Sequence, residues 1–320
     1  MGKKTIAVIM TAYNEQIEWF QKAIESVLNQ TYRDIHLYVL LDNPDNDILW
    51  QLMEQYARED RRVSIYQNEK NLGLVSSLNR LLGYVTEEYV ARMDADDICY
   101  DNRFEQEMNF LEQHQLDFVM SGIDFIRGDI IEPGPEVPTL LLDLFAESEK
   151  YGNHATHPTW LLKKEVYEEL NGYREVRYCE DLDFVLRAIQ AEFRLGRMQE
   201  ILLHYRMRET GISCSYAYEQ YEKAAYLRQS YCVGKRIDEI VPDELNDRKD
   251  FSNEWKKKEF QETKASIDTF AALLYQRKYC SCLLRACKGI FGNKLYRQIF
   301  IDTVKNNRKM TKLFRKAREV

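Results

Sequence analysis

The chain has 320 residues, of which 45% are hydrophobic and 30% charged, and its formal net charge is −7. This composition is typical of a globular protein with one large domain or two smaller ones. The acidic balance argues against nucleic acid as a partner, because a protein that follows phosphates needs a basic face. There is no apolar run of about 18 residues and no recognisable signal segment, and the seven cysteines are scattered. We therefore expect a cytoplasmic protein with reduced thiols.

The first part of the chain alternates between strand and helix patterns. Strands are predicted at residues 5–10, 36–41, 63–66 and 89–93. Helices are predicted where apolar residues recur at helical spacing, at residues 16–29, 48–57 and 74–82. This alternation predicts an α/β fold with a Rossmann-like, mostly parallel sheet flanked by helices.

The pattern becomes less regular further along the chain. The elements predicted there are a helix at 103–115, a strand at 117–125, a loop at 130–138, and helices at 140–145, at 164–170 and from 180 onward. Strand signals fade after about residue 215. The chain is therefore predicted to contain an α/β domain over residues 1–215 and a mainly helical region over residues 216–320.

Polar residues follow each of the first four predicted strands. They are Tyr13 to Glu15, Asp42, residues 68–73 and residues 94–97. The carboxyl ends of parallel strands meet at one edge of a sheet, where ligands of such folds bind. These four groups therefore predict a binding site at that edge.

The densest of these groups contains three carboxylates, Asp94, Asp96 and Asp97, within four positions. Clustered carboxylates repel one another, so stability does not explain the group. A hard divalent cation with a phosphate ligand would balance the charge. A solvated turn with a helix-capping aspartate is the structural alternative.

Several motifs together resemble the family 2 glycosyltransferases, which have the GT-A fold. Four segments occur in the family's order and spacing: Ala12-Tyr13-Asn14-Glu15, Asn71-Leu72-Gly73, Asp94-Ala95-Asp96-Asp97, and Glu180-Asp181 followed by Arg187. The resemblance covers roughly residues 5–210 and makes residues 1–215 the expected catalytic domain. It implies transfer of a sugar from a nucleoside diphosphate donor to an acceptor hydroxyl, usually with a divalent metal and with inversion.

The resemblance assigns roles to three aspartates. Asp96 is the expected ligand of a Mn²⁺ or Mg²⁺ ion, and Asp94 contacts the metal, its water shell or the donor's ribose. Asp42 is expected to accept a hydrogen bond from the uracil ring, although Asn43 stands where many members have a second acid. Asp42 before an Asn-Pro pair is also favourable turn chemistry.

Two loops are expected to hold the rest of the donor. By resemblance, Ala12, Tyr13 and Glu15 line the nucleotide, and Tyr13 could stack on the base. Gly73 permits close backbone approach at a helix start, and Lys70 could add charge near the diphosphate. The structural alternatives are that Glu15 favours the following helix N-terminus and that Gly73 only begins a helix.

Two later segments also resemble parts of the family site. His204-Tyr205-Arg206, followed by Ser213, matches a loop that closes over the donor, where His204 or Arg206 contacts the diphosphate. Residues 157–160 resemble a segment on the acceptor side. There Trp160 either stacks on a sugar or lies in the core.

Glu180 and Asp181 are the expected catalytic residues. An inverting transfer needs a base that takes the proton of the acceptor hydroxyl. By resemblance Asp181 is that base and Glu180 orients the acceptor. The alternative is that acids at a helix start stabilise the helix dipole. Asp183 and Arg187 are four residues apart, which favours a structural pair on one helix face.

The C-terminal residues 285–320 contain eleven Lys or Arg residues but only two acids, Asp302 and Glu319. Apolar residues recur there at helical spacing, at Leu284, Cys287, Phe291, Leu295 and Ile299. This pattern fits a helix on an anionic membrane surface, which would make the protein peripheral at the inner face of the membrane. It fits equally a helix packed on the body of the protein or on another subunit of a homo-oligomer.

The leading hypothesis is a metal-dependent, inverting glycosyltransferase that uses a UDP-hexose, with glucose or galactose favoured. Its acceptor would be a glycan, a lipid-linked oligosaccharide or a glycoprotein. A sugar-nucleotide nucleotidyltransferase is a second class, although the phosphate loop expected near its N-terminus is missing. A non-catalytic scaffold for other glycosyltransferases is a third.

Overall fold

The structure, a computed structural model, describes residues 4–208, 215–248, 256–263 and 294–319. The strands are β1 (Ile6–Ala12), β2 (Ile35–Leu41), β3 (Val63–Gln67), β4 (Tyr89–Asp94), β5 (Ile98–Cys99), β6 (Phe118–Arg127), β7 (Ile130–Glu132), β8 (Leu140–Leu141), β9 (Leu161–Lys163) and β10 (Leu195–Arg206). The helices are α1 (Ile17–Leu28), α2 (Asp47–Glu59), α3 (Leu74–Leu82), α4 (Arg103–Gln113), α5 (Leu142–Glu149), α6 (Lys164–Glu169), α7 (Glu180–Gln190), α8 (Ala217–Cys232), α9 (Pro242–Asn246) and α10 (Lys294–Glu319). Residues 256–263 are also helical.

Within the described residues, the strands form one sheet. Its order is β3-β2-β1-β4-β9-β6-β10-β5, with β7 beside β6 and β8 beside β10. The four strands from β3 to β4 are parallel to one another, and β6 is parallel to β10. The short β9 runs antiparallel between β4 and β6. The predicted α/β class is therefore confirmed.

Strand β1 shows why the sheet is buried on both faces. Ile6, Val8 and Met10 point into a core shared with α1, α2 and α4. Ala7 and Ile9 point into a second core, shared with α3, α5 and α7. A parallel strand covered on both sides reads as a continuous apolar run rather than an alternating one, as this segment does.

The structure confirms the first seven predicted elements and corrects several later ones. Leu140 and Leu141, predicted to be helical, pair with β10 as a short strand, and helix α5 begins at Leu142. Residues 130–132 of the predicted loop form β7. The sequence did not predict β10, and the expected loop at His204-Tyr205-Arg206 was wrong because these residues end that strand. Ser213 lies outside the described residues.

The described parts of residues 216–320 are mainly helical, as predicted. Helix α8 and the turn before α9 pack on α7 through Leu182, Leu186, Leu227 and Ile237. Helix α10 buries Met310 and Leu313, and Phe314 and Ala317 contact the second core of the sheet. The division at residue 215 stays a prediction, and Leu284, Cys287 and Phe291 lie outside the described residues.

None of the helices that the structure describes is long and apolar enough to cross a membrane.

A buried ion pair supports the centre of the sheet. Arg103 donates through Nε to Glu107 Oε1 at 3.1 Å, and both side chains are fully buried. Ser121 Oγ donates to the same carboxylate, and Arg103 Nη2 donates to the carbonyl oxygen of Arg92 in β4. This network joins α4 to β4 and β6, beside the acidic cluster.

Because a buried charge that loses its partner is not compensated, Arg103→Ala should lower the free energy of unfolding by about 3–5 kcal/mol. The double variant Arg103→Met, Glu107→Leu should recover much of that loss, since it removes both charges. Urea denaturation followed by circular dichroism measures both. A single variant as stable as the wild type would show that this ion pair does not support the sheet.

Candidate active site

The predicted acidic cluster lies at the carboxyl edge of the parallel strands. Thr11 at the end of β1 is in register with Asp94 at the end of β4. Asp94, Asp96 and Asp97 all line a cleft of about 1000 Å³. Glu180 and Asp181, at the start of α7, line the same cleft. The structure thus brings together two acidic groups that lie far apart in the sequence.

Arg92 lies beneath both acidic groups. Its side chain is only 2% exposed, forms an ion pair with Asp94 and lines the cleft. Its positive charge also lowers the pKa values of Asp97 and Glu180, against the larger effect of burial. Among the described residues, Nε of Arg92 has no hydrogen-bond partner.

Asp96 faces a second guanidinium. Arg208 donates through Nε to Asp96 Oδ2 at 2.7 Å, and its Nη2 lies 3.9 Å from Glu15 Oε1. Burial and the neighbouring Asp94 nevertheless raise the pKa of Asp96 to about 7. Arg208 therefore connects the first donor loop to the expected metal ligand.

Asp97 is held by strand β10, which lies far along the chain, rather than by the segment that directly follows it. Its Oδ1 accepts a hydrogen bond from the backbone N–H of Arg206 at 2.7 Å, and Arg206 Nε donates to the carbonyl oxygen of Asp96. Asp97 is only 1% exposed, and its Oδ2 has no hydrogen-bond partner among the described residues. Burial and the charges of Asp94 and Asp96 raise its pKa well above the usual range.

The acidic cluster fits a cation that the protein coordinates only in part. In the part of the chain that the structure describes, no three His, Cys, Asp or Glu side chains form a metal site by themselves. Mg²⁺ and similar ions commonly take one or two carboxylates and complete their shell with water and substrate phosphates. Asp97 Oδ2 has no hydrogen-bond partner among the described residues, and burial together with the neighbouring Asp94 raises the pKa of Asp96, so a cation at this place would stabilise the ionised form of both carboxyls.

Asp42 shapes the second donor loop. Its Oδ1 accepts hydrogen bonds from Leu72 N at 2.8 Å and from Asn68 Nδ2 at 2.6 Å. Its Oδ2 accepts a hydrogen bond from Gly73 N at 2.8 Å. Gly73 has φ of +85°, a conformation that favours glycine, and α3 begins directly after it. The contact of Asp42 with a nucleobase stays a prediction.

The other residues predicted to bind the donor lie at the same edge of the sheet, but they are not part of the cleft wall that contains the acids. Tyr13 is 44% exposed, and its backbone N–H donates to Glu15 Oε2 at 2.6 Å. Burial raises the pKa of Glu15. Ala12 is buried at the end of β1, and Lys70 is exposed before the loop of Gly73. Their roles in donor binding stay predictions.

Glu180 and Asp181 differ in their surroundings. Burial and the neighbouring Asp181 raise the pKa of Glu180 to about 8. Burial also raises the pKa of Asp181, but the backbone N–H of Leu182, which donates to Oδ1 at 2.7 Å, opposes that effect. Arg228 of α8 opposes it as well. Of the two carboxyls, Asp181 therefore ionises more readily.

Other residues singled out in the sequence have structural positions. Trp160 is fully buried and donates to the carbonyl oxygen of Ala155, so it lies in the core rather than on the cleft surface. Arg187 donates to Asp183 at 2.8 Å, as predicted, and Arg174 pairs with the same carboxylate. These contacts fix α7 and thereby the position of Glu180 and Asp181 at its start.

The sequence analysis missed Arg92, Arg208 and Arg228. One signal was available for Arg92. It lies two residues before Asp94 in a strand, and residues two apart share a face. Arg208 and Arg228 gave no such signal, because their partners Asp96 and Asp181 are far away in the sequence.

A parallel sheet with an acid-lined cleft at its carboxyl edge defines an α/β protein with a ligand site of the Rossmann-like type. The family described as Glycosyl transferase family 2 matches residues 7–170, about half of the chain. The chain belongs to this family, and it is a glycosyltransferase. This favours the first of the three classes predicted from the sequence.

Two relatives show how far the similarity extends. The chain is 32% identical over 214 residues to an uncharacterized glycosyltransferase of Methanocaldococcus jannaschii, covering 65% of this chain and 72% of the relative. It is 30% identical over 238 residues to the O-antigen biosynthesis glycosyltransferase WbnJ of Escherichia coli, covering 72% of this chain and 91% of WbnJ.

A solved structure shares the fold. Residues 1–349 of S. aureus TarS, in complex with UDP-GlcNAc, match with a TM-score of 0.58 at 18% identity, covering 75% of this chain and 69% of that one. The chain spans 41% of a longer TarS structure. The likeness supports the GT-A architecture expected from the resemblance.

The pKa of Glu180 predicts a dependence of stability on pH. Its value of about 8 in the folded protein lies above the ordinary 4.5, so the folded state holds this proton more tightly than the unfolded chain. Stability should therefore fall as pH rises from about 5 to 8. Glu180→Gln should remove roughly 1–3 kcal/mol of that fall, since each pKa unit corresponds to about 1.4 kcal/mol and Asp181 shares the effect.

Urea denaturation at the two ends of this range measures the difference. The exposed Glu169→Gln is the matched control and should leave the dependence on pH unchanged. An equal dependence in Glu180→Gln and the wild type would contradict the raised pKa.

Proposed function

We propose that this glycosyltransferase transfers a hexose, glucose or galactose, from a UDP-sugar to a hydroxyl of a glycan, a lipid-linked oligosaccharide or a glycoprotein, with inversion. The observation that carries the proposal is that Asp96 and Asp181 line one cleft. A group that binds a diphosphate through a cation and a group that accepts a proton thus face the same space. The UDP-GlcNAc in the TarS structure supports a UDP-sugar donor, and the O-antigen role in the name of WbnJ supports a glycan acceptor.

In this proposal Asp181 is the general base. The acceptor oxygen forms a bond with the anomeric carbon, and its proton passes to the Asp181 carboxylate. The bond between the anomeric carbon and the diphosphate oxygen breaks, and its electron pair leaves with UDP. Glu180 keeps its proton at neutral pH and can donate a hydrogen bond that orients the acceptor.

The cation side of the site is assigned to Asp96 and Asp94. A bound Mn²⁺ or Mg²⁺ would neutralise charge on the leaving diphosphate. A cation at Asp96 would replace the guanidinium of Arg208 as its partner, and Arg208 would then be free to pair with the diphosphate. Arg206 remains fixed by the backbone of Asp96 and by its position over the Trp19 ring.

The donor loops complete the proposed site. Asp42 holds the N–H groups of Leu72 and Gly73 in place at the start of α3, and a helix start favours a phosphate. Tyr13 is exposed enough to stack on a base, Ala12 and Glu15 place its loop, and Lys70 lies close to the same edge.

Two variants test the assignment: the near-isosteric Asp181→Asn and the truncating Asp96→Ala. With Mn²⁺ present, the wild type should release UDP from at least one UDP-sugar in a screen that includes UDP-glucose and UDP-galactose. Asp181→Asn should lower the transfer rate by about 10²–10⁴-fold, because the base is lost. Asp96→Ala should also abolish transfer and should weaken Mn²⁺-dependent UDP binding measured by calorimetry.

Both variants should keep the thermal unfolding transition of the wild type, and Glu169→Gln should transfer normally. Normal transfer by Asp96→Ala and Asp181→Asn would sink the assignment of these residues. Release of pyrophosphate from UTP and a sugar phosphate would instead indicate the nucleotidyltransferase class.

We also propose that the outward face of α10 contacts an anionic membrane surface. Its inward face buries Met310 and Leu313 against the body. The outward face carries exposed cations and, between them, the exposed apolar side chains of Ile301 and Val304. These cations are Arg297, Lys305, Arg308, Lys312, Arg315 and Lys316. A symmetric homo-oligomer through this face would bring like charges together, which favours the membrane over the oligomer predicted beside it.

The protein should sediment with vesicles that contain phosphatidylglycerol and not with vesicles of phosphatidylcholine alone. Arg308→Gln with Lys312→Gln should weaken binding about tenfold or more, since each cation near such a surface contributes about 1 kcal/mol. The control variant, Lys22→Gln with Lys235→Gln, changes exposed lysines elsewhere and should bind normally. Absence of binding to the anionic vesicles would overturn this proposal, and dimers in light scattering would then favour the oligomer.

A further inference from the structure

The wall of the cleft next to Asp181 comes from helices outside the matched part of the family. The match to the family model ends at residue 170, whereas α8 and α10 follow residue 215. Helix α8 contributes Arg228 and Gln229 to the lining, and α10 contributes Thr303, Asn306, Asn307 and Lys309. Because Asp181 is the base in the proposed function, the wall beside it belongs to the acceptor half of the cleft if that function holds.

Arg228 is a fixed cation beside the proposed base. Its Nε donates to the carbonyl oxygen of Glu149 at 3.0 Å, and the side chain is half-buried. Arg228 and Asp181 line the same cleft, and the charge of Arg228 opposes the rise in the pKa of Asp181.

Lys309 supplies a second cation on the same wall. Its Nζ lies 4.6 Å from the centre of the Tyr151 ring. The nearby Lys150 pairs with Glu147 at 2.6 Å. Among the described residues that α8 and α10 contribute to the cleft, Arg228 and Lys309 are the cations. Helix α10 also contributes one acid, Asp302, to the wall. Its other polar groups there are neutral: the carboxamides of Asn306 and Asn307 and the hydroxyl of Thr303.

These groups define the chemistry of the acceptor. Carboxamides and hydroxyls are suited to sugar hydroxyls, and guanidinium and ammonium groups are suited to phosphate or carboxylate. The Asp181 carboxylate alone would repel an anion at this place. We propose that Arg228 and Lys309 bind an anionic group, phosphate or carboxylate, carried by the acceptor glycan near the hydroxyl that is glycosylated.

Calorimetry on the full chain, saturated with UDP and Mn²⁺ so that the donor side is filled, tests this site. The probes are glucose 6-phosphate, glucuronate and glucose, which share a ring and differ in charge. At least one of the two anionic sugars should bind about tenfold more tightly than glucose. Comparison of glucose 6-phosphate with glucuronate distinguishes a preference for phosphate from one for carboxylate. Equal or undetectable binding of all three would overturn the proposal.

Variants assign the effect to the wall. Arg228→Gln with Lys309→Gln should lose the preference for the anionic sugar, whereas Arg228→Lys should keep part of it. The exposed Lys22→Gln on α1 is the control and should keep all of it. A preference that survives the double substitution would also overturn the proposal.

The binding of UDP with Mn²⁺ separates this inference from the proposed function. It should be equal in the wild type and in all these variants, because the wall does not contact the donor side. Loss of UDP binding in the wild type would count against the proposed function. Intact UDP binding without an anion preference would count against this inference alone.

Discussion

The site depends on one buried positive charge, the guanidinium of Arg92. It lies between the acids after β4 and the acids at the start of α7, and without it five carboxyls would face one cleft with no cation beneath them. Arg103 fixes the backbone of Arg92 through its carbonyl oxygen. The Arg103–Glu107 pair, deep in the sheet, therefore positions the charge on which the cleft depends.

The single positive charge of Arg92 does not neutralise all of the acids, and this affects how readily the carboxyls of the cleft ionise. Asp96, Asp97 and Glu180 all have raised pKa values because they are buried near other carboxyls. A cation that enters the cleft would favour the ionised form of these carboxyls, and a carboxylate with a raised pKa is a stronger base than an exposed one. In the proposed reaction the first effect would assist the departure of the diphosphate, and the second would assist the deprotonation of the acceptor.

The sequence predicted what short-range patterns determine. Apolar runs marked β1 to β4, and helical spacing marked α1 to α3. The family resemblance singled out Asp96 and Asp181, which line one cleft and whose roles stay predictions. It failed where a segment owes its structure to distant partners. β10 was missed, and residues 204–206 were taken for a loop, because that strand is stabilised by pairing with β5 and β6 from much earlier in the chain. Arg208 and Arg228 were missed for the same reason, since each gains its meaning from an acid that is far away in sequence.

The division of labour between sheet and helices follows from these positions. The groups proposed to bind the donor follow the carboxyl ends of β1 to β4, which pairing within the sheet holds in register. The acceptor-side wall sits on α8 and α10, whose residues lie beyond the family's matched segment. Helix α10 presents Asp302, Lys309 and neutral polar groups to the cleft and further cations to the outside. One helix would thus set both the distance of the cleft from an anionic surface and the identity of the glycan that reaches Asp181.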